Sequence, residues 1–109
     1  MGDQIARFTY GRRSSKPLSF DTSRGAYYRG NQYDPNTPWG NNHGPLSEIH
    51  ALQMLQKQRH LNDRTRHSTE LNIVFSDGGR MPLFEDPGPA RVEAVASTLG
   101  DFIEVPVWE

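Results

Sequence analysis

The sequence predicts an α+β fold, in which one antiparallel sheet of about five to seven strands is covered by a single C-terminal helix at about residues 88–103. The helix is indicated by apolar residues spaced three and four apart after a proline-glycine-proline start. The sheet is indicated by two runs rich in β-forming residues, 69–76 and 80–84, joined by a tight Asp-Gly-Gly turn at 77–79. With 109 residues the chain has the size of one domain, which we expect to span 1–109.

The amino-acid composition excludes several classes of protein. Hydrophobic residues make up 34% of the chain, and its 10 Gly and 8 Pro indicate extensive loops. The absence of Cys excludes a disulfide framework, thiol catalysis and thiolate metal sites, and fits a reducing cytoplasm. No apolar run approaches the roughly 18 residues of a membrane helix. The N-terminus lacks the apolar centre of a secretory signal. We therefore expect a soluble, cytoplasmic chain.

The N-terminal half predicts the first strands of the sheet. Residues 4–10 alternate weakly and contain aromatic and β-branched side chains, which favours a strand. Residues 17–30 read as a β-hairpin, with Leu18 and Phe20 on one face of its first strand. Gly25 can supply the positive φ that the turn of this hairpin requires.

Residues 30–45 predict a long loop, because they contain nearly every turn-forming residue type. Loops of this length are uncommon and are often functional or disordered. Trp39, between a proline and a glycine, is the candidate partner-binding residue of this loop. The alternative reading is that Trp39 covers an edge of the core.

Residues 46–58 allow two interpretations. Leu46, Ile49, Leu52 and Leu55 lie three residues apart, and the segment is rich in good helix formers, so the pattern by itself favours a helix. The same residues also fit a strand that is buried on both faces.

The segments after residue 58 each allow a single interpretation. Residues 61–66 form a polar turn, and Pro82 places the strand at 80–84 at an edge, because proline cannot donate to a sheet ladder. Residues 105–108 leave the helix as an extended tail that can pack back. The apolar stripe of the helix consists of Val92, Val95, Ala96, Leu99, Phe102 and Ile103.

Charge is distributed unevenly along the chain. Residues 1–66 hold ten basic and five acidic residues (net +5), whereas residues 67–109 hold two basic and eight acidic residues (net −6). A basic half can bind phosphate groups or an acidic membrane surface, or it can be an ordinary solvated surface. The candidate ligand-binding residues lie near the first two turns and are Arg12, Arg13, Lys16 and Arg24. We expect no nucleic-acid binding, since no cluster combines basic and stacking aromatic residues.

The sequence contains no convincing catalytic or metal-binding motif. The four histidines, at 43, 50, 60 and 67, lie seven, ten and seven residues apart, whereas zinc ligands usually form closer pairs. Ser47, Glu48 and His50 provide the residue types of a triad but are neighbours in sequence, which is not a triad geometry. We therefore predict no catalytic residues, no metal and no cofactor, and that the chain is not an enzyme.

Six short motifs follow one another along the chain: Phe20-Asp21, Tyr28-Arg29-Gly30, Ile49 with Gln53, Leu71-Asn72, Asp77-Gly78 and Val105-Pro106. Their order resembles that in the soluble regions, with pleckstrin-homology-like architecture, of small bacterial proteins that are often membrane-anchored. The resemblance covers residues 17–108, and it implies that about 47–59 is a long strand and not a helix. No catalytic residues carry over from it.

These observations together predict a non-catalytic interaction or regulatory module, the soluble part of a membrane-associated protein at the inner face of the membrane. Its partner would be a protein. The alternative is a domain that binds anionic phospholipid headgroups or a membrane surface. A hydrolase using His50 or His60 is the least favoured reading. A homo-oligomer is compatible with the sequence.

Overall fold

The structure is a computed structural model that describes residues 5–8, 17–36 and 43–109. The chain divides into two compact units, residues 1–49 and residues 50–109. That residues 1–109 act as a single domain stays a prediction. Within the described residues, no helix is both long enough and apolar enough to span a bilayer.

The N-terminal unit contains a four-stranded antiparallel sheet with the strand order β1-β2-β3-β4. The predicted hairpin at 17–30 is confirmed, and Gly25 has a φ of +63° in its turn. The predicted 30–45 loop is described at residues 30–36 and 43–45, and its last two residues pair with β3 as a short strand. The elements are β1 (Ile5–Phe8), β2 (Leu18–Asp21), β3 (Ala26–Arg29), β4 (Gly44–Pro45) and a single 3-10 turn at Leu46–Glu48.

Strand β2 is buried along its whole length. Leu18 and Phe20 lie on one face, as the alternation predicts, but Ser19 and Asp21 on the other face are buried as well. Buried polar groups are tolerated only when they form hydrogen bonds. Ser19 meets this requirement, because its hydroxyl donates a 2.7 Å hydrogen bond to the carbonyl oxygen of Gly30.

The C-terminal unit contains the second sheet, with the order β7-β6-β5-β8, and the helix. Strand β7 lies at the edge of this sheet, as Pro82 predicts. It pairs antiparallel with β6, with an irregularity between Leu71 and Asn72. The elements are β5 (Ile49–Leu61), β6 (Arg64–Phe75), β7 (Arg80–Asp86), α1 (Pro89–Ile103) and β8 (Val107–Trp108).

The ambiguous segment at 46–58 is a strand for most of its length, so the helix favoured by pattern alone is wrong there. Ala51 and Leu52 point to opposite faces of β5, and both are fully buried. A strand buried on both faces has no polar alternation that would distinguish it from a helix. Burial in the sheet overrides the helical propensity of Leu, Gln and Met.

The helix begins and packs as predicted. Gly88 is its N-cap and Pro89 its first residue. Val92, Ala96 and Leu99 are buried, and the helix packs on β6, β7 and β8. The tail after the helix pairs parallel with β5, where Leu52 lies opposite Val107.

The α+β class and the C-terminal helix are therefore confirmed. All six predicted strands are present, but they belong to two sheets of four strands each, where the sequence predicted a single sheet. The described residues contain two further strands, β4 and β8, each only two residues long. A pair of residues is too short to show an alternating pattern, so these strands carry no signal in the sequence.

Candidate functional site

The outer half of the β5–β6 hairpin, residues 56–67, forms a two-stranded ribbon. Strand β7 pairs with β6 only from Thr69 onward, and β8 pairs with β5 only at Leu52 and Gln53. Among the described residues, the two strands of the ribbon therefore pair only with each other. Every residue of the ribbon is exposed except Lys57, which is half-buried.

A two-residue turn closes the ribbon. Asn62 and Asp63 both have positive φ, at 49° and 63°. Positive φ at both central residues is typical of the type I′ turn, whose twist matches that of the flanking strands. Asn and Asp tolerate this conformation better than other non-glycine residues. Pairing therefore continues to Leu61 and Arg64, well inside the segment that the sequence predicts as a polar turn.

Strand alternation divides the side chains of the ribbon into two faces. The ammonium of Lys57 donates a 2.8 Å hydrogen bond to Glu70, so these two residues share a face. His60 and Thr65 are hydrogen-bonded at 3.1 Å and share the other. The first face, here called the cationic face, holds Lys57, Arg59, Leu61, Arg64 and Arg66. The opposite face holds Gln56, Gln58, His60, Thr65 and His67.

Acidic residues of the sheet contact the base of the cationic face. Lys57 lies 2.8 Å from Glu70 and 3.6 Å from Glu85, and Arg59 lies 3.6 Å from Glu85. The hydrogen bond with Lys57 lowers the pKa of Glu70, and the same bond raises the pKa of Lys57. Both groups are therefore held in their charged forms. This network ties the ribbon to Glu70, on the part of β6 inside the sheet, and to Glu85 on β7. It also neutralises part of the positive charge of the ribbon.

The outer part of the cationic face is not neutralised in this way. Arg64 and Arg66 are exposed, and neither forms an ion pair with any of the described residues. The ribbon holds four basic residues and one acidic residue, Asp63, for a net charge of +3. Leu61, beside the turn, is 57% exposed. The ribbon thus presents cations and one apolar side chain to a partner.

A second group of charged and polar side chains lies in the N-terminal unit, around the buried carboxylate of Asp21. Asp21 is 1% exposed, and its carboxylate accepts hydrogen bonds from the hydroxyls of Ser23 (2.6 Å) and Tyr28 (3.0 Å). It also accepts hydrogen bonds from the backbone N–H groups of Ser23 and Arg24. Burial acts to raise the pKa of Asp21, but these hydrogen bonds outweigh it and lower the pKa. The carboxylate is thereby fixed in its ionised form at the β2–β3 turn.

Arg24 is the one predicted ligand-binding residue within the described chain. Its guanidinium lies 3.6 Å from Asp21 and stacks over the ring of Tyr33 at 4.9 Å from the ring centroid. These contacts hold it against the β2–β3 turn and against the ring of Tyr33, which follows the hairpin. The other predicted site residues, Arg12, Arg13, Lys16 and Trp39, lie outside the described residues.

An acidic groove lies between β5, the helix and the C-terminal residues. It has a volume of about 330 Å³, and Met54, Glu93 and Glu109 are among its lining residues. An adjoining groove of about 370 Å³ shares these three residues and adds Asp101. The C-terminal unit is therefore electrically polar, with cations on the ribbon and carboxylates beside the helix.

The histidines show no arrangement for metal chemistry. His60 is hydrogen-bonded to Thr65, and His50 packs edge-on against Trp108 with ring centroids 5.4 Å apart. In the part of the chain that the structure describes, no three His, Asp or Glu side chains are grouped closely enough to hold a metal ion. That the chain needs no metal or cofactor stays a prediction.

The ribbon carries no apolar pattern in the sequence. Apart from Leu61, its residues are polar on both faces, so they lack the apolar alternation by which strands are recognised. A signal was present nonetheless: Lys57 and Arg59 are two residues apart, as are Arg64 and Arg66, around an Asn-Asp pair. Like charges at a period of two on both sides of a turn-forming pair predict a hairpin with one cationic face.

Comparisons with protein-family models, with curated proteins and with solved structures found no match for this chain.

Proposed function

We propose that this chain is a non-catalytic interaction module that recognises an anionic partner through the cationic face of the β5–β6 ribbon. One observation carries the proposal: Arg64 and Arg66 project on one face of an exposed two-stranded ribbon and form no ion pair with the described residues. Like charges on one face of a sheet repel each other and destabilise it. Binding of an anionic partner would remove that repulsion.

The ion pairs at the base of the ribbon also support a binding role for the cationic face. Glu70 and Glu85 hold Lys57 and Arg59 in place, so the root of the cationic face is ordered by ion pairs while its outer part stays available. A preorganised face loses less conformational entropy on binding than a flexible basic loop. Arginine also suits this role, because its planar guanidinium can donate two hydrogen bonds to one phosphate or carboxylate.

The shifted pKa values favour a non-catalytic role. Burial and the hydrogen bond to Asp21 raise the pKa of Tyr28, so this phenol stays protonated. The pKa of Asp21 itself is lowered, so its carboxylate stays ionised. A general acid or base needs a pKa close to the working pH, and these shifts move both groups away from neutrality. Tyr28 and Asp21 are therefore better explained as a structural pair.

The proposal also includes the cellular location of the module. We infer, from the motifs shared with pleckstrin-homology-like regions of bacterial membrane-anchored proteins, that it is the soluble part of a membrane-associated protein at the cytoplasmic face of the membrane. Two of the shared motifs, Asp77-Gly78 and Val105-Pro106, lie in a turn and between two elements. Gly78 has a φ of +90° in the β6–β7 turn, and Pro106 lies between α1 and β8.

Heparin, a polyanion, provides the direct test. The full chain should be retained on immobilised heparin at low salt and released as salt rises, since screening weakens contacts between exposed charges. Arg66→Glu should elute at lower salt than the wild type. Arg80→Glu is the matched control, because Arg80 is also exposed, lies on β7 and forms no ion pair with the described residues. Absence of retention, or equal effects of the two variants, would refute a ribbon site.

The residues singled out by the sequence give a competing site. If Arg12, Arg13 and Lys16 hold the anionic partner, replacing all three with alanine should abolish retention on heparin, and Arg66→Glu should leave it unchanged. The ribbon proposal predicts the opposite order of effects.

A further inference from the structure

We infer that the anionic partner of the ribbon is a lipid bilayer, which the ribbon approaches tip-first so that Leu61 enters the boundary between headgroups and acyl chains. The inference rests on the proposed function, because it uses the same cationic face, and it names the class of partner. Three features of the ribbon support it: the position of Leu61, the spacing of the cations behind it, and the residue types that the ribbon lacks.

Leu61 occupies the end of the ribbon, immediately before the Asn62-Asp63 turn, and is 57% exposed. A single exposed leucine on a protein surface needs no explanation. The position of this one is informative, because it shares the cationic face with Arg64 across the turn. An apolar side chain at the tip, with cations beside and behind it, matches the boundary between the apolar and anionic layers of a membrane.

The spacing of the cations fits the thickness of the headgroup layer. Strand residues advance about 3.3 Å each, so Arg59 and Arg66 lie about 7 Å behind the tip. The headgroup region on each side of a bilayer is about 5–8 Å thick. With Leu61 at the acyl boundary, Arg64 would lie close to that boundary and extend its guanidinium toward the phosphates. Arg59 and Arg66 would lie among the headgroups.

Lys57 lies a further two residues back, about 13 Å from the tip and beyond the headgroup layer. It is also the cation most completely neutralised by the protein, through Glu70 and Glu85. Lys57, with two ion pairs, thus lies beyond the depth at which a bilayer would supply phosphates. Arg59, with one ion pair at 3.6 Å, and Arg66, unpaired among the described residues, lie within that depth.

The carboxylates of the C-terminal unit favour the same orientation. Glu93, Asp101 and Glu109 line the grooves beside the helix, where an anionic surface would be repelled. Asp63, in the turn, opposes binding at the tip, and its charge is outweighed by the four basic residues of the ribbon.

Nucleic acid is the competing polyanion, and the ribbon fits it less well. Residues 56–67 contain no Phe, Tyr or Trp on which bases could stack. On a duplex, the cationic face would also bring Leu61 against phosphates, where an apolar side chain gains nothing.

Co-sedimentation of the full chain with vesicles tests the inference. The chain should sediment with vesicles of phosphatidylcholine mixed with phosphatidylserine, and not with vesicles of phosphatidylcholine alone. Arg66→Ala should weaken the partition about fivefold, the expected effect of one basic residue near an anionic surface, whereas Arg80→Ala should leave it unchanged. Leu61→Asn should weaken binding to vesicles several-fold and leave retention on heparin as in the wild type.

The absence of Cys allows a direct test of insertion. Leu61→Cys labelled with an environment-sensitive fluorophore should show a blue-shifted emission on the anionic vesicles. The same label at Thr98→Cys, on an exposed helix position, should show no shift.

The outcomes separate the inference from the proposed function. If the wild type binds heparin through Arg66 but does not sediment with anionic vesicles, the partner is not a bilayer, and the proposed interaction module is still supported. Preferential binding to a double-stranded oligonucleotide would name nucleic acid as the partner instead. Sedimentation without a blue shift at position 61 would overturn the insertion of the tip. Failure to bind both heparin and vesicles would overturn both proposals.

Discussion

The hydroxyl of Tyr28 on β3 donates a 3.0 Å hydrogen bond to the carboxylate of Asp21 on the neighbouring strand β2, and both side chains are buried. The two residues close the β2–β3 hairpin from inside the N-terminal unit. Since Asp21 also accepts hydrogen bonds at the turn from Ser23 and Arg24, one carboxylate fixes both the turn and the pairing of its strands.

Tyr28→Phe should lower the free energy of unfolding by about 1.5–3 kcal/mol, the usual contribution of a hydrogen bond to a charged group. The ring stays in place, so the loss reports the hydroxyl. Urea unfolding of the full chain measures it. Tyr33→Phe is the control, because the hydroxyl of Tyr33 forms no hydrogen bond within the described residues. Equal stability of the two variants would show that the buried hydrogen bond contributes nothing.

Asp21 should also make the stability of the chain depend on pH in acid. Its pKa in the folded chain lies below the ordinary value of 3.8. A carboxyl with a lowered folded pKa contributes stability that is complete above the unfolded value and is lost as pH falls through the folded value. The wild type should therefore lose stability between about pH 5 and pH 2, more steeply than Asp21→Asn.

Urea midpoints measured across that range would give the slopes for both proteins. Asp101→Asn, the same chemical change at an exposed helix position, should follow the wild type. A stability difference between Asp21→Asn and the wild type that stays constant from neutral pH to the acid end of the range would contradict the lowered pKa.

Gly100→Ala tests the packing between the helix and the tail. Alanine is the better helix former by about 1 kcal/mol, so an unconstrained site would be stabilised. Here a Cβ atom would lie 3.0 Å from a methyl carbon of Val107 and 3.1 Å from the carbonyl oxygen of Val105. Overpacking costs about 1–3 kcal/mol. We expect a net destabilisation, measured as a lower Tm; Thr98→Ala, at an exposed position of the same helix, should raise it slightly.

How much the sequence predicted depends on which residues are buried. The apolar alternation of Leu71 and Ile73 and the helical stripe from Val92 to Leu99 predicted their elements, because burial of one face leaves a periodic signal. The ribbon leaves no apolar period, since its residues are exposed apart from the half-buried Lys57, and its periodic signal is the spacing of its like charges.

The Asp21 site was missed for a different reason. Asp21 and Tyr28 are seven residues apart, and only the register of β2 with β3 brings them together. Short strand motifs predicted the hairpin but not which side chains would meet across it. Predicting strand β8 would have required the conformation at the end of the helix, because the conformation of Glu104 sets the direction of the tail.

Glu104→Gly should stabilise the chain. Glu104 ends the helix in the left-handed conformation, with φ 58° and ψ 49°, and the N–H of Val105 donates a 3.0 Å hydrogen bond to the carbonyl oxygen of Gly100. Glycine is the preferred residue at this position, and a non-glycine residue costs about 1–2 kcal/mol there. Glu104→Ala removes the charge and keeps the strain, so only the glycine variant should show a higher Tm. A gain of equal size in the alanine variant would assign the effect to charge.

Asp63→Gly should stabilise the ribbon and strengthen its binding to polyanions. Residue 63 has a φ of 63°, and Asn-Gly is the preferred sequence for a type I′ turn. The change removes backbone strain and raises the net charge of the ribbon by one. Asp63→Asn separates the two effects, because Asn also removes the charge while keeping a side chain that glycine lacks.

Both Asp63 variants should elute from heparin at higher salt than the wild type, because both remove the acidic residue of the ribbon. Only Asp63→Gly should also slow hydrogen exchange of the ribbon backbone, since it alone stabilises the turn. If exchange in the ribbon is unchanged by glycine, the turn is not under strain. If neither variant elutes later, the charge of the ribbon does not determine binding, and the cationic face would lose its role.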